Sequence, residues 1–179
     1  MNAPRSSSRV FSRAAYANTD GSAGLGPFVP LSRSPQLMIE AAKMGTYLRF
    51  GNSLPRALSE FAIILQSRRW SQQYEWNIHA ADAKTAGLPE AVIQAVADGR
   101  RPENMTEDQE IVYEFSRELN ETRGVSDRTY ARMVGKFGEQ GMMDLVGLNG
   151  YYSLISMVLN VGHTPLPAGV QPGLKPLPR

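Results

Sequence analysis

The sequence contains no cysteine among its 179 residues. This absence excludes thiol catalysis, disulfide bonds, cysteine-ligated zinc and iron–sulfur clusters. It also fits the reducing cytoplasm, where we expect the protein to reside. No apolar run approaches the roughly 20 residues of a membrane-spanning helix, so we expect no membrane partner.

The features of a secretory signal are also missing. Residues 15–17 read Ala-Tyr-Ala, which imitates a signal-cleavage tripeptide. Arg9 and Arg13 interrupt the segment before it, whereas a signal peptide needs an apolar stretch of about 7–15 residues there. We therefore expect no export signal in this segment.

The middle of the chain also has no excess of basic residues. The formal net charge of the whole sequence is +2. Residues 34–163 hold 13 basic and 16 acidic side chains, whereas the two terminal segments together hold 6 basic and 1 acidic. The positive charge therefore lies in the termini, and nucleic-acid binding is the weakest of the functions we consider.

Composition divides the chain into three parts. Residues 1–33 contain four arginines, six serines and a Gly/Pro-rich stretch without helical periodicity, which predicts an extended or disordered arm. Residues 34–163 are predicted to form one helical domain, long enough to bury a core without metals or disulfides. Residues 164–179 contain five prolines and are predicted to be an extended tail.

The middle part has helical periodicity throughout, and no segment alternates with a two-residue period. We therefore predict an all-α fold. Ser34-Pro35 is typical of a helix start, and Thr106 with Gln109 predicts a capping box. The predicted helices span approximately residues 34–49, 55–70, 71–87, 88–97, 106–124, 126–137 and 140–161.

One carboxylate stands out in the second of these helices. Ala57–Leu65 is apolar on nearly every side, which indicates a buried helix, and Glu60 is its only charged residue. A buried carboxylate must be paired or neutral. An ion pair with Arg56, four residues earlier, is the structural explanation, and acid/base catalysis is the functional one.

The following helix carries three polar residues on one face. Gln72, Glu75 and His79 have the spacing i, i+3 and i+7, with Ser71 as the predicted N-cap. A carboxylate four residues before the imidazole would orient it and raise the pKa of His79, giving an acid/base unit near neutral pH. The structural alternative is a hydrogen-bonded core histidine.

The spacing of these residues resembles a known superfamily. Glu60, Gln72, Glu75 and His79 lie at offsets 0, 12, 15 and 19, and Tyr74-Glu75-Trp76 and an Ala-Gly-Leu-Pro segment flank them. This pattern resembles the alkylhydroperoxidase-like (AhpD-like), carboxymuconolactone-decarboxylase superfamily over roughly residues 34–165. Its peroxidase branch has cysteines at the two middle positions. Gln72 and Glu75 replace them here, which excludes thiol peroxidase chemistry.

The resemblance implies a helical bundle with a central antiparallel helix pair, assembled as a trimer or hexamer. It implies a cofactor-independent lyase or isomerase acting on a small unsaturated carboxylate or lactone from aromatic-compound catabolism. Glu60, Glu75 and His79 would be catalytic, while Arg56 and Gln72 would contact the substrate. A protonated Glu60 and the Gln72 amide would face the developing negative charge.

Two further expectations concern metals and assembly. Glu60, Glu75 and His79 could together ligate a metal, but no second Glu-x-x-His pair accompanies them, so we expect no metal and no organic cofactor. The segment 140–161 is apolar on almost all sides, which favours a place at the centre of the fold or in a subunit interface. A non-catalytic structural or binding oligomer of the same fold is the alternative function.

Overall fold

The computed structural model describes residues 26–175, and the regular structure within that range is entirely helical. This confirms the prediction of an all-α protein. The helices in this part of the chain are α1 (Phe28–Leu31), α2 (Pro35–Phe50), α3 (Arg56–Arg69), α4 (Gln73–Thr85), α5 (Glu90–Ala97), α6 (Glu107–Thr122) and α7 (Asp127–Gly162).

Hydrogen bonds confirm two of the predicted helix starts. At α6, the Gln109 N–H donates to Thr106 Oγ1 and the Thr106 N–H donates to Gln109 Oε1, which completes the capping box. At α7, Ser126 Oγ accepts a hydrogen bond from the Thr129 N–H. These bonds satisfy N–H groups that the first turn of a helix otherwise leaves unpaired.

The start of α4 differs from the prediction, which placed its N-cap at Ser71. Ser71 ends α3 instead, with a left-handed φ of 47°. Its N–H donates to Arg68 O, and the N–H of Gln72 donates to Ser67 O at 2.8 Å. This is the Schellman arrangement, in which a left-handed residue satisfies the last carbonyls of a helix. Gln72 therefore becomes the N-cap of α4.

The prediction of an extended arm through residue 33 is wrong for residues 28–31, which form α1. Leu31 is buried, and α1 packs against α2 and α7. The sequence could not indicate this helix, because four residues are too few to show a helical period. Its contacts with the other helices hold it in place. Residues 1–25, the rest of the predicted arm, lie outside the described range.

The chain after α7 has no helix through residue 175 and returns to the central helices. Leu174 is buried, and its backbone exchanges two hydrogen bonds with the side-chain amide of Gln73. Arg68 donates to the Lys175 carbonyl at 2.8 Å. The end of the described tail, at Leu174 and Lys175, is therefore packed against α3 and α4.

Helix α3 lies at the centre of the fold. Phe61, Ala62, Ile63 and Ile64 are completely buried, as the apolar sequence predicted. The helix packs against α4, α5, α6 and α7. A polar side chain that α3 buries beside this stretch therefore needs a hydrogen-bond or ion-pair partner within the fold.

Helices α3 and α4 are joined by residues 70–72 and run antiparallel. Glu60 contacts His79 and Arg56 contacts Asp82, so residue numbers fall along α3 as they rise along α4. This hairpin brings charged side chains that are about 20 positions apart in sequence into direct contact.

Helix α7 has two segments, which separate at Gly138, where φ is 69° and ψ is 175°. The predicted break between residues 137 and 140 is thus confirmed. Leu145, Leu148 and Leu159 in the second segment are completely buried. By length and composition alone α7 could cross a membrane, contrary to the sequence-based expectation. Half of its most apolar window is buried against the rest of the fold.

Buried polar contacts fix the rotation of α7 against the other helices. Gln66 on α3 donates to Asn149 and accepts from Ser153, both on α7. Asn149 also donates to Ser116 on α6. Because buried amides and hydroxyls are costly to leave unpaired, these bonds favour one packing register. That register directs the two neighbouring tyrosines, Tyr151 and Tyr152, towards α2 and α4.

Candidate active site

His79 lies between two carboxylates. Its Nδ1 is 2.7 Å from Glu60 Oε2, across the α3–α4 interface. Its Nε2 is 3.4 Å from Glu75 Oε2, one helical turn earlier on α4. All three side chains are at most 5% exposed. The structure thus brings together the three residues that the sequence predicted to be catalytic.

The two carboxylates determine the protonation of the imidazole. Burial lowers the pKa of His79, but hydrogen bonds to Glu60 and Glu75 and the charges of both outweigh burial and raise that pKa to about 8. His79 therefore changes protonation state close to neutral pH. This is the behaviour that general acid/base catalysis requires.

His79 and Glu75 form part of the wall of a cavity of about 450 Å³ between α1, α2, α4 and α7. The size is that of a typical small-molecule site. The wall is mostly apolar, with a few polar groups, and comprises Gly26, Pro27, Phe28, Ala42, Gly45, Thr46, Arg49, Phe50, Tyr74, Glu75, Ile78, His79, Tyr151, Tyr152 and Ile155.

Two adjacent tyrosines of α7 also line the cavity. The Tyr152 ring packs edge-on against the His79 ring, with centroids 4.9 Å apart, and Tyr151 packs edge-on against Tyr152. Burial and the nearby Glu75 charge raise the pKa of Tyr151 to about 12 and also raise the pKa of Tyr152. Both phenols therefore stay protonated at neutral pH, and each offers an O–H donor.

Gly45 makes room for Tyr151. A Cβ atom at this position would lie 2.2 Å from the Tyr151 hydroxyl oxygen, closer than any real contact. The backbone of α2 can approach the tyrosine only because the residue has no side chain. The cavity wall at this point therefore depends on glycine.

Behind His79, a chain of ion pairs returns to the cavity. Arg56 Nη2 lies 3.6 Å from Glu60 Oε1 and 3.7 Å from Asp82 Oδ2. Arg49 Nη2 donates to the same Asp82 oxygen at 3.1 Å. The series Glu60, Arg56, Asp82, Arg49 thus begins beside the imidazole and ends in the cavity wall.

The structure places the two predicted substrate contacts elsewhere. Gln72 caps α4, because its Oε1 accepts from the Tyr74 and Glu75 N–H groups and its Nε2 donates to Asn160. Arg56 pairs with Glu60 and is not among the described residues that line the cavity. Glu60 also lies behind the imidazole and not in the cavity wall. Among the residues predicted to act at the site, only Glu75 and His79 face the cavity.

The imidazole and two carboxylates beside it have ligand atoms close enough together to hold a cation. Ligand atoms of Glu60, His79 and Asp82 lie within 4.8 Å of one another. The guanidinium of Arg56 already supplies positive charge to both of these carboxylates. The set therefore fits an ion-pair network better than a metal centre, because a cation there would compete with the Arg56 guanidinium for both carboxylates.

Sequence reasoning did not assign Arg49, Tyr151 or Tyr152 to the site. Arg49 ends the α2 face that carries the small residues Ala42, Gly45 and Thr46, all of which line the cavity. The helical spacing of these small residues was the sequence feature that could have indicated which face of α2 meets the cavity. The tyrosines stand in a helix that is apolar on almost all sides, which gives no indication of the face turned to the cavity.

No protein-family model matches this chain, and no curated protein matches it. Membership of the superfamily that the sequence resembles therefore stays a prediction. Function has to be inferred from the geometry of the residues around the cavity.

Proposed function

We propose that this protein is a cofactor-independent lyase or isomerase that acts on a small unsaturated carboxylate or lactone, as a cysteine-free member of the carboxymuconolactone-decarboxylase-like superfamily. The supporting observation is an imidazole that has a carboxylate beside each ring nitrogen and forms part of the wall of a cavity of small-molecule size. An imidazole so held is suited to moving a proton at one defined position.

In this proposal the reacting carbon is conjugated to a carboxylate or lactone carbonyl. For isomerisation, neutral His79 removes a proton from that carbon, and the C–H electron pair enters the conjugated system to give a dienolate. The imidazolium then returns the proton to another carbon of the same system. For decarboxylation, the C–C bond to the carboxylate breaks, carbon dioxide leaves, and the electron pair of that bond stays on the conjugated carbanion, which the imidazolium then protonates; no external oxidant or reductant is needed.

The two carboxylates take different roles from those expected from the sequence. Glu60 accepts from Nδ1 and lies behind the imidazole, so we assign it the orientation of His79. Glu75 lines the cavity beside Nε2, so we assign it the stabilisation of the imidazolium while Nε2 holds the substrate proton. The hydroxyls of Tyr151 and Tyr152, in place of Gln72, would donate to the developing anion.

The reaction is tested by incubating the protein with ring-cleavage muconate derivatives and muconolactones while their ultraviolet absorbance is followed. We expect the absorbance of at least one compound to change catalytically, because isomerisation or decarboxylation alters its conjugation. Chelator treatment should leave the rate unchanged, since the proposed chemistry needs neither a metal nor an organic cofactor. Absence of turnover across the series would instead favour a non-catalytic binding or structural oligomer.

We also propose a homo-oligomer, a trimer or hexamer as the resemblance implies. The motivating observation is a set of apolar side chains, each more than 40% exposed, on two helices: Leu37, Ile39, Met44, Tyr47 and Phe50 on α2, and Met143, Met157 and Val161 on α7. Exposed apolar area of this extent is typical of an interaction surface. Light scattering at micromolar concentration should give a multiple of the chain mass of 19.7 kDa. A monodisperse monomer would contradict this proposal.

We further propose where the protein resides and what it binds. A cytoplasmic location and a small-molecule carboxylate partner, without nucleic acid or membrane, are consistent with the cysteine-free composition and the charge distribution. The cavity volume of about 450 Å³ lies in the range of pockets that enclose small-molecule ligands.

A further inference from the structure

We propose that Arg49 binds a carboxylate group of the ligand, and that Asp82 holds the guanidinium in position for this contact. The inference rests on the proposed function, because it concerns the same cavity. It identifies the residue that would bind the carboxylate group of the substrate. It replaces Arg56, the residue that the sequence favoured for this task.

Arg49 is the only lysine or arginine among the described residues that line the cavity. It lies on the α2 face that also presents Gly45 and Thr46 to the cavity, so its helix directs it there. Tyr151 and Tyr152 line the same cavity as Arg49, and the positive charge of Arg49 lowers the pKa of both phenols, against the larger rise that burial causes. One cation and two hydroxyl donors therefore serve the same cavity.

The guanidinium of Arg49 retains donors for a ligand. One Nη2 hydrogen bond goes to Asp82, while the buried Nε–H has no acceptor within residues 26–175. The side chain is 34% exposed and the bond to Asp82 uses one of its five N–H donors, so the terminal nitrogens can still donate to a ligand carboxylate. Arginine also recognises carboxylates through paired, charge-assisted hydrogen bonds.

Asp82 contributes by fixing the direction of the guanidinium. Its Oδ2 is shared between Arg49 at 3.1 Å and Arg56 at 3.7 Å, so it neutralises neither arginine completely. The ring of Phe50 lies against the guanidinium of Arg49, 5.1 Å from centroid to Cζ, and restricts it further. Arg49 is thus held in place, with positive charge left for an anion.

The charges of the cavity wall also determine how such a ligand is oriented. Glu75 is the only carboxylate among the described lining residues, and it stands beside His79. A ligand carboxylate is repelled by Glu75 and attracted by Arg49. The carbon chain would then extend over the apolar wall, with its reactive carbon towards His79.

The test uses adipate, a saturated six-carbon dicarboxylate that cannot undergo the proposed reaction, and its uncharged diamide, adipamide. Isothermal titration calorimetry measures the binding of both to the wild-type protein and to Arg49→Gln. We expect adipate to bind the wild type more tightly than adipamide does. Arg49→Gln should weaken adipate binding by at least about tenfold, as expected for loss of a charge-assisted contact, and leave adipamide binding unchanged.

Arg69→Gln is the matched control, because Arg69 donates to the Asn120 carbonyl away from the cavity and should leave both ligands unaffected. Asp82→Asn should weaken adipate binding less than Arg49→Gln does, since the guanidinium of Arg49 keeps its charge while Arg49 and Arg56 lose a shared ion-pair partner. Unchanged adipate binding in Arg49→Gln, equal loss of adipamide, or no preference of the wild type for adipate would each overturn the inference.

The experiments distinguish failure of the Arg49 inference from failure of the proposed reaction. If Arg49→Gln keeps its adipate affinity while muconate turnover depends on His79, the carboxylate contact is wrong and the proton transfer stands. If adipate binding depends on Arg49 but no muconate derivative is turned over, the anion site stands and the reaction is wrong.

Discussion

Replacing His79 with glutamine should lower kcat on the muconate-type substrate by roughly 10²–10⁴-fold, the usual cost of losing a general acid/base. Glutamine is similar in size and can still donate to Glu60, but it cannot carry a proton. Glu60→Gln should also lower kcat, because it removes the charged partner that holds Nδ1 at 2.7 Å. Steady-state kinetics, with circular dichroism to verify folding, measure both effects.

His163→Gln provides the control for this substitution. His163 is the other histidine of the sequence and lies at the C-cap of α7, outside the cavity wall. It should keep the wild-type kcat. If His79→Gln and Glu60→Gln both fold normally and retain near-wild-type kcat, the assignment of the site is wrong.

The second large effect is on stability as a function of pH. The pKa of His79 rises from 6.5 to about 8 in the folded protein. A raised pKa contributes stability that is complete below pH 6.5 and disappears as the pH rises through about 8. The difference corresponds to about 2 kcal/mol in the free energy of unfolding. Urea unfolding between pH 6 and 9 should therefore show the protein losing stability towards alkaline pH.

A His163→Gln background isolates the titration of His79 in that experiment. Adding His79→Gln to this background removes the imidazole between the carboxylates and should remove most of the slope. The free energy of unfolding of His163→Gln should exceed that of the double variant at pH 6, and this difference should shrink by about 2 kcal/mol from pH 6 to pH 9. A constant difference across this range would show that the two carboxylates do not raise the pKa of His79.

Local patterns in the sequence were enough to predict helices α2 to α7, and the resemblance placed Glu60 and His79 in one site. The all-round apolar character of Ala57–Leu65 indicated the buried helix, and the turn between the two helices brought Glu60 to His79. The capping signals at Thr106 and Ser126 also succeeded, since a cap depends on residues only three positions away. These features are determined within one helix or one hairpin.

Features determined by longer-range packing could not be predicted in the same way. Ser71 is a good N-cap by residue type, but the end of α3 takes it into a left-handed conformation, and Gln72 then becomes the cap. Gln72 was consequently assigned to substrate although its amide is used within the fold. The cavity forms where α2 meets α7, and only that contact brings Arg49 and Tyr151 to the same wall.

The most direct test of the proposed proton transfer is to run the muconate reaction in deuterium oxide and to follow the substrate and product by proton NMR. The wild-type protein should place deuterium on a carbon conjugated to the carboxylate or lactone carbonyl, and His163→Gln should do the same. His79→Gln should show no such incorporation above the uncatalysed rate. Equal deuterium incorporation by His79→Gln and the wild type would contradict the assignment of His79 as the proton carrier.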